Sequence, residues 1–227
     1  MMWFMSQVSQ DVASPSQTRS DTAAPRNGAE WLASLGDVPL ERILFDPPPG
    51  TATEADVLRL DDRDNRKCEL VDGTLVEKTM GWDEGIVEIN IALLVGSFVR
   101  SRKLGACGGP STMMRLLPTR VRLPAFSFFN HETLAMRDKS KRVPSLRPDL
   151  AVEVLSESNT PKEMAIKLDE YFQAGTRLVW YVDPRTKTVD VYTARDHMTR
   201  LTEADTIDGG EVLPGFTASV AELFVVA

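Results

Sequence analysis

A carboxylate inside an apolar run is the first candidate for chemistry in this 227-residue chain. The run from Asp149 to Leu155 predicts a strand, on which Asp149 and Glu153 share one face because successive side chains alternate. A strand this apolar predicts burial on both faces, where a carboxylate needs a cation or hydrogen bonds to offset its lost hydration. We therefore take Glu153 as the leading candidate for a site residue.

A lysine follows on the next predicted element. Thr160, Pro161 and Glu163 are typical of a helix start, as N-cap hydroxyl, first-position proline and capping-box acid, and Gly175 suits the helix end. Lys167 lies about 60° from the middle of the apolar face at ~100° per residue, so it borders the buried side. The apolar face itself is formed by four residues: Met164, Leu168, Tyr171 and Phe172.

The elements around this segment predict an α/β fold. Two strands follow the helix, RLVWYVD and TVDVYT, and the order strand, helix, strand indicates a crossover between parallel strands. Upstream, CELVDGTLVEK predicts a hairpin that turns at Asp72 and Gly73, and we assign its Glu69 to cross-strand or turn support. Residues 86–99 predict a buried helix. Residues 108–129 predict the two strands of a second hairpin.

These motifs resemble the Uma-two family of restriction-endonuclease-like proteins, within the PD-(D/E)XK nuclease superfamily. The resemblance rests on RPDLAVEVLS, the helix with its lysine and tyrosine, LVWYVDP, CELVDGTLVEK and LPGF, and it covers roughly residues 38–224. It implies a restriction-endonuclease-like core, with a mixed β-sheet and a hairpin flanked by helices. It also implies cleavage of DNA phosphodiester bonds with Mg²⁺ or Mn²⁺, and a homodimer.

The resemblance assigns roles to particular residues. Phosphodiester hydrolysis needs an activated water and a neutralised anionic transition state, which cations held by carboxylates provide and a nearby lysine assists. The superfamily places that lysine two residues after the strand acid, where this chain has Leu155. Lys167 resembles the migrated lysine of the family. Glu84 matches the acid on the superfamily's early helix, although the helix dipole favours an acid there in any case.

Position 125 departs from the family pattern. The family has Pro-Asp where this chain has Pro124 and Ala125, so the first metal-binding aspartate is absent. Asp149 lies ~13 Å from Glu153 at ~3.3 Å per residue, too far for both to grip one ion. It could reach a second ion, orient a water or cap the strand start, and a turn role after Pro148 has equal weight. Asn130 or Glu132 could partly replace the missing ligand if the strand bulges.

The charge distribution is uneven. The net charge is −7, but residues 100–147 contain only two acids and eleven basic residues, at positions 100, 102, 103, 115, 120, 122, 137, 139, 141, 142 and 147. A basic middle in an acidic chain is a possible footprint for a polyanion such as DNA, and the alternative is a solvated surface.

The ends and the cysteines limit the class of protein. Residues 1–28 predict a disordered tail without a signal peptide, and residues 29–227 predict one domain. No apolar run reaches the ~18 residues of a membrane span. Cys68 and Cys107 form no disulfide framework, which favours a cytoplasmic protein.

Three functions remain open at this point. The first is a metal-dependent DNA endonuclease with Glu84, Asp149, Glu153 and Lys167 as catalytic residues, the three acids holding the metal. The second is an inactive DNA-binding module that keeps the fold. The third is a structural or protein-interaction domain. Ala125 favours the second function, and Glu153 together with Lys167 favours the first.

Overall fold

The computed structural model describes residues 25–226, which form five helices and thirteen strands. The helices are α1 (Gly28–Ser34), α2 (Glu54–Asp64), α3 (Trp82–Arg102), α4 (His131–Ala135) and α5 (Pro161–Ala174), and 3₁₀ turns lie at Leu40–Arg42 and Val220–Phe224. The strands are β1 (Ile43–Leu44), β2 (Cys68–Val71), β3 (Thr74–Glu77), β4 (Gly105–Gly108), β5 (Met114–Leu117), β6 (Arg120–Arg122), β7 (Phe126–Asn130), β8 (Leu150–Val154), β9 (Leu178–Asp183), β10 (Thr188–Ala194), β11 (His197–Thr202), β12 (Thr206–Asp208) and β13 (Thr217–Ser219).

A six-stranded mixed sheet carries the main core. Its order is β11-β10-β9-β8-β7-β4, and β8 and β9 are its parallel pair, joined by α5 as predicted. Helix α3 and the C-terminal segment pack with one set of its side chains around Trp180, and α5 packs with the other around Tyr171. The strand–helix–strand order read from the sequence is therefore confirmed.

Helix α5 begins where its sequence predicts, with one difference at its cap. The hydroxyl of Thr160 accepts a hydrogen bond from the Glu163 N–H at 3.0 Å, and Gly175 ends the helix with φ +95°. The Glu163 carboxylate does not return to the N-cap backbone as a capping box would require. It pairs with the buried Arg42 at 2.8 Å, which ties α5 to the first 3₁₀ turn.

A second sheet of five strands, in the order β1-β3-β2-β6-β5, lies beside the first. The β2–β3 hairpin turns at Asp72 and Gly73, as predicted, and both have positive φ (46° and 75°). A side chain at Gly73 would also approach the carbonyl carbon of Gly50 to 2.6 Å. The turn therefore needs glycine for its conformation and for space.

The two sheets are joined by residues 123–125. The prediction of one two-stranded hairpin across residues 108–129 was wrong, because this segment contains β5 and β6 in the five-stranded sheet and β7 in the six-stranded sheet. Pro124 lies at the break and has no N–H to donate to a ladder. The chain therefore leaves one sheet there and enters the other.

Helix α3 is longer than predicted and is buried on one side only. Val87, Ile91 and Val95 are at most 3% exposed and face the sheet. The prediction of a buried helix fails on the other side, where Ile89 and Leu93 are 53% and 60% exposed. Amphipathic periodicity is weak in so apolar a sequence, which is why the exposed side was not recognised.

The predicted tail lies largely outside the described residues, since residues 1–24 are not among them. Asn27 caps α1 by accepting a hydrogen bond from the Glu30 N–H at 2.9 Å. Within residues 25–226, no helix combines the length and the apolar content needed to cross a membrane.

Candidate functional site

Glu153 lies near the end of β8 and is only 3% exposed. The hydroxyl of Tyr171 donates a hydrogen bond to its carboxylate at 2.7 Å. The ammonium groups of Lys167 and Lys78 lie 3.5 and 3.9 Å from the two carboxylate oxygens. This buried acid is therefore compensated by one hydroxyl and two cations, as its position in an apolar strand requires.

Lys167 is 2% exposed, more deeply buried than its position at the border of the apolar face predicted. Its ammonium lies 3.0 and 3.1 Å from the carboxylate oxygens of Glu69 on β2. Burial disfavours its charged form, but Glu153 and Glu69 outweigh this effect and raise the pKa of Lys167. Lys167 is therefore protonated at neutral pH and acts as a fixed positive charge, not as a proton acceptor.

Glu69 extends the site into the five-stranded sheet. It is fully buried, and it accepts hydrogen bonds from the Arg122 guanidinium at 2.7 Å and the Leu123 N–H at 3.2 Å. Burial would raise the pKa of Glu69, but Lys167 and Arg122 outweigh it and hold that pKa well below its ordinary range. Arg122 also binds Glu170 of α5 through two hydrogen bonds of 2.6 and 2.9 Å. The chain thus forms a buried network of alternating charges behind Glu153.

A small cavity lies in front of Glu153, between α3, the end of β3 and the start of α5. Its volume is about 10 Å³, room for roughly one water molecule. The charged and polar residues that line it are Arg42, Lys78, Thr79, Glu84, Glu88, Glu153, Asn159 and Lys167. It adjoins a wider cleft of about 440 Å³ that shares Thr79, Met80 and Glu84 with it. Glu84, Glu153 and Lys167, predicted from separate elements, therefore share one cavity.

Glu84 and Glu88 occupy the first turns of α3, one helical turn apart. The Glu84 carboxylate accepts a hydrogen bond from the Gly81 N–H at 3.0 Å and so caps the helix. Glu88 is 9% exposed and has no hydrogen bond or ion pair among residues 25–226. Burial raises its pKa to about 7; Lys78 opposes the increase, while Glu153 and Glu84 add to it. Glu88 is the buried carboxylate of this cavity that lacks a bonded partner.

We expect Glu88 to make stability depend on pH. Its folded-state pKa of about 7 exceeds its ordinary value of 4.5, so the folded state binds more protons between these values and loses stability as the pH rises through them. In EDTA, Glu88→Gln should therefore be more stable than the parent at pH 8, by roughly 2 kcal/mol, and equal to it near pH 4. Urea denaturation at both pH values measures the difference. Glu84→Gln, on the cavity rim, is the control; an equal gain in that variant would contradict the assignment.

Ala125 lies beside Glu153 in the sheet. Phe126 pairs with Val152 in the antiparallel ladder of β7 and β8, and one further step in the same register sets Ala125 opposite Glu153. Residues opposite each other in such a ladder project from the same face. Ala125 is 2% exposed, so a carboxylate there would be buried next to Glu153. The predicted neighbourhood of these two positions follows from this register.

Asp149 lies at the other end of β8 and does not line the cavity. Its fully buried carboxylate accepts hydrogen bonds from the Asn130 N–H at 2.8 Å, the Asn130 side chain at 3.3 Å, Arg147 at 3.0 Å and Arg177 at 3.3 Å. Asn130 is also engaged as the cap of α4. Both residues anchor the start of β8, and the structure brings neither of them to Glu153.

The basic middle of the chain is partly neutralised by internal ion pairs. Five of its eleven cations face acids elsewhere in the chain: Arg115, Arg120, Arg122, Arg142 and Arg147. The other six are exposed and have no ion pair within the described part of the chain: Arg100, Arg102, Lys103, Arg137, Lys139 and Lys141. The outer cleft carries Asp83, Glu84 and Glu157 beside one arginine, Arg185. The positive surface is thus smaller than the sequence count indicated.

The donor set suits a hard cation, with fewer ligands than the family pattern implies. Among residues 25–226, no three acidic, histidine or cysteine side chains are arranged to hold an ion. Glu88 and Glu153, however, line the same cavity, and Glu88 lacks a counter-charge bonded to it. Carboxylate oxygens are the ligands that Mg²⁺ and Mn²⁺ prefer. A cation at this point would have two protein ligands and would be weakly held.

Five contributors to the site were not among the predicted site residues. Glu69 and Tyr171 had been given structural roles, and Lys78, Glu88 and Arg122 had been given none. Glu88 could have been found from its spacing, because it follows Glu84 by one turn and adjoins the buried Val87. Lys78 and Arg122 have no comparable local signal. Lys78 follows β3 and Arg122 lies on β6, and both reach the site only because these strands pair with β2.

Comparisons with known proteins agree with this fold. A family model described as "Uma2: Putative restriction endonuclease" matches residues 54–221. The crystal structure of a putative nuclease belonging to DUF820 from Anabaena variabilis is similar with a TM-score of 0.60 and 16% sequence identity. The match covers 70% of this chain and 89% of that chain. No curated protein matches the chain at a significant level.

Proposed function

The chain belongs to the Uma2 family of restriction-endonuclease-like proteins, and from this premise we propose that it is a DNA endonuclease of low activity. The proposal assigns the reaction to the cavity in front of Glu153 and requires Mg²⁺ or Mn²⁺. The supporting observation is the meeting of Glu153, Glu88 and Lys167, from a strand and two helices, in one cavity. Free Cys68 and Cys107 accord with action in the cytoplasm.

The roles follow from the environment of each side chain. Glu88 and Glu153 would hold the cation, which when bound supplies positive charge for the phosphate and makes a water molecule more acidic. Tyr171 and Lys167 fix the orientation of the Glu153 carboxylate. Lys78 is the less buried of the two lysines and directly follows β3, so in this proposal it is the lysine that contacts a phosphate oxygen. Glu84 lines both the cavity and the outer cleft.

Low activity is proposed because of Ala125. The residue opposite Glu153 has no carboxylate, and Lys167 already satisfies Glu69 and Glu153. A cation would therefore compete with lysine for Glu153 and would have no ligand from β7. Opening of the cavity is also required, since about 10 Å³ does not admit a phosphate group.

The test is a cleavage assay on supercoiled plasmid and single-stranded DNA with Mg²⁺ or Mn²⁺. We expect slow nicking that Glu153→Gln lowers at least about tenfold, since the amide keeps the size of the side chain and removes its charge. Glu157→Gln, an exposed acid of the outer cleft, is the matched control and should keep the parent rate. Nicking that persists in Glu153→Gln would refute this site.

A second candidate is a DNA-binding module without cleavage, and Ala125 is the observation that favours it. It predicts DNA binding that weakens steeply as salt rises, with no nicking under any metal. Six exposed, unpaired cations are available for such binding within the described residues. A chain that neither binds nor cuts DNA at low salt would instead be a structural or protein-interaction domain.

A further inference from the structure

The outward side of α3 is an exposed apolar strip that nothing in the described chain covers. We call it the outer face. At ~100° per residue it occupies an arc of about 120° around the helix. Its residues are Trp82, Gly85, Ile86, Ile89, Leu93, Gly96, Ser97 and Arg100. Trp82 is 79% exposed, Leu93 60% and Ile89 53%. Three large apolar side chains in line on one helix form a patch of the kind that marks an interaction surface.

Two positions on this face hold glycines that packing within the single chain does not require. A Cβ added at Gly85 or at Gly96 would meet no atom within 4 Å, so the chain's own packing does not require glycine at either position. Each glycine in a helix interior costs about 1 kcal/mol relative to alanine. Their absence of side chains would, however, let a second helix approach closely.

The outer face is complementary to itself in antiparallel orientation. About a twofold axis that crosses the outer face at the level of Ile91 along the helix, Ile89 faces Leu93 of a second copy, and Gly85 faces Ser97. Ile86 then faces Gly96, so a large side chain meets a gap. Trp82 faces Arg100, a pair able to form a cation–π contact at each end. A twofold dimer requires this reciprocity, in which each residue meets the same partner twice.

The charges at the ends of α3 favour the same arrangement. Asp83 and Glu84 lie in its first turn, and Arg100, Arg102 and Lys103 lie at its other end. Antiparallel packing sets the acidic end of each helix beside the basic end of the other and opposes their dipoles. A parallel pair would place like charges together.

We propose that the outer face of α3 is the surface on which a second copy of this chain docks. The two α3 helices would pack antiparallel and cross at the level of Ile91. This inference does not depend on the nuclease proposal. The helix is about 30 Å long and its contact strip about 10 Å wide, which is small for a stable interface. The adjoining groove of about 730 Å³ between α3 and the edge strand β4 would add contact area. The dimer should therefore dissociate in the micromolar range.

The test is the oligomeric state of the full chain by sedimentation equilibrium from about 1 to 200 µM. We expect a monomer–dimer equilibrium that Leu93→Glu weakens at least about tenfold. Met136→Glu, which adds the same charge at another exposed apolar position (62% exposed), should leave it unchanged. A monomer at every concentration, or a dimer indifferent to Leu93→Glu, would overturn the proposal.

A second variant separates docking from folding. Gly96→Leu replaces a residue of low helix propensity at a position where an added Cβ meets no atom within 4 Å, so the monomer should become more stable to heat. The same leucine would fill the gap that faces Ile86 of the second copy, so the dimer should weaken at least about tenfold. A rise in the melting temperature with unaltered dimerisation would show that the copies meet elsewhere.

Discussion

Ala125→Asp should accelerate DNA cleavage at least about tenfold in Mg²⁺ or Mn²⁺. The introduced carboxylate would lie opposite Glu153 on the same face of the six-stranded sheet and supply the ligand that β7 lacks. Loss of a partner around a bound metal typically costs about 10–100-fold in affinity or activity, and restoring a direct ligand should gain as much. The plasmid-nicking rate of the variant and its parent, measured side by side, gives the result.

The melting temperature of Ala125→Asp tests the added ligand without relying on catalysis. A second buried acid beside Glu153 should lower the melting temperature in EDTA, because the added carboxylate has no counter-charge of its own and repels that of Glu153. Mg²⁺ should raise it again in Ala125→Asp, since binding to the folded state stabilises it, and should have little effect on the parent. Ala125→Asn is the matched control of similar size without charge. If Asn performs as well as Asp, or if Glu153→Gln does not abolish the gain, the added carboxylate is not acting as a ligand.

Arg122→Met should destabilise the chain by about 3–5 kcal/mol, the largest effect on stability that we expect from a single ion-pair change. Arg122 is 3% exposed, and its guanidinium compensates both Glu69 and Glu170. Burial opposes its charged form, but the two acids raise the pKa of Arg122 well above its ordinary value, so the charge is fixed. Methionine keeps the apolar contacts of the side chain and leaves two buried carboxylates without this cation.

Urea denaturation at pH 7 measures this effect, with Arg66→Met as the comparison. Arg66 also forms a two-bonded pair with an acid, Glu77, but that pair is 41% and 26% exposed. Exposed pairs of this kind contribute about 0–1 kcal/mol. Equal losses in the two variants would mean that burial does not govern the strength of these networks. Addition of Glu170→Gln to Arg122→Met should recover part of the stability, because it removes a buried charge that would keep only Arg120 as its counter-charge.

Local patterns in the sequence predicted the part of the fold around β8, α5 and β9. Helix caps at Thr160 and Gly175 and a turn at Asp72–Gly73 are set by neighbouring residues, so they can be recognised without knowledge of the tertiary structure. The same holds for Glu153, whose cost of burial follows from its apolar neighbours alone. The match of the family model to residues 54–221 confirms the resemblance that these motifs carried.

The partners of Glu153 could not be recognised from local patterns, because they come from distant parts of the chain. Glu69 was assigned to strand support, and the structure places it between Lys167 and Arg122, 98 and 53 residues away in the chain. No periodicity within β2 distinguishes an acid that faces solvent from one that faces the interior of a neighbouring sheet. The basic middle shows the same limit, since its arginines at 115 and 142 are paired with acids of α2. Charge counts along a sequence do not reveal which charges meet.

The joint at residues 123–125 has a consequence for how the molecule opens. Strand β6 of one sheet continues through Leu123 and Pro124 into β7 of the other, and the Glu69–Lys167–Glu153 network spans the same boundary. Separation of the two sheets would expose Lys167 and break its pairing with Glu69 in a single event. We therefore expect partial unfolding confined to one sheet to be costly, so that the two sheets unfold as one cooperative unit.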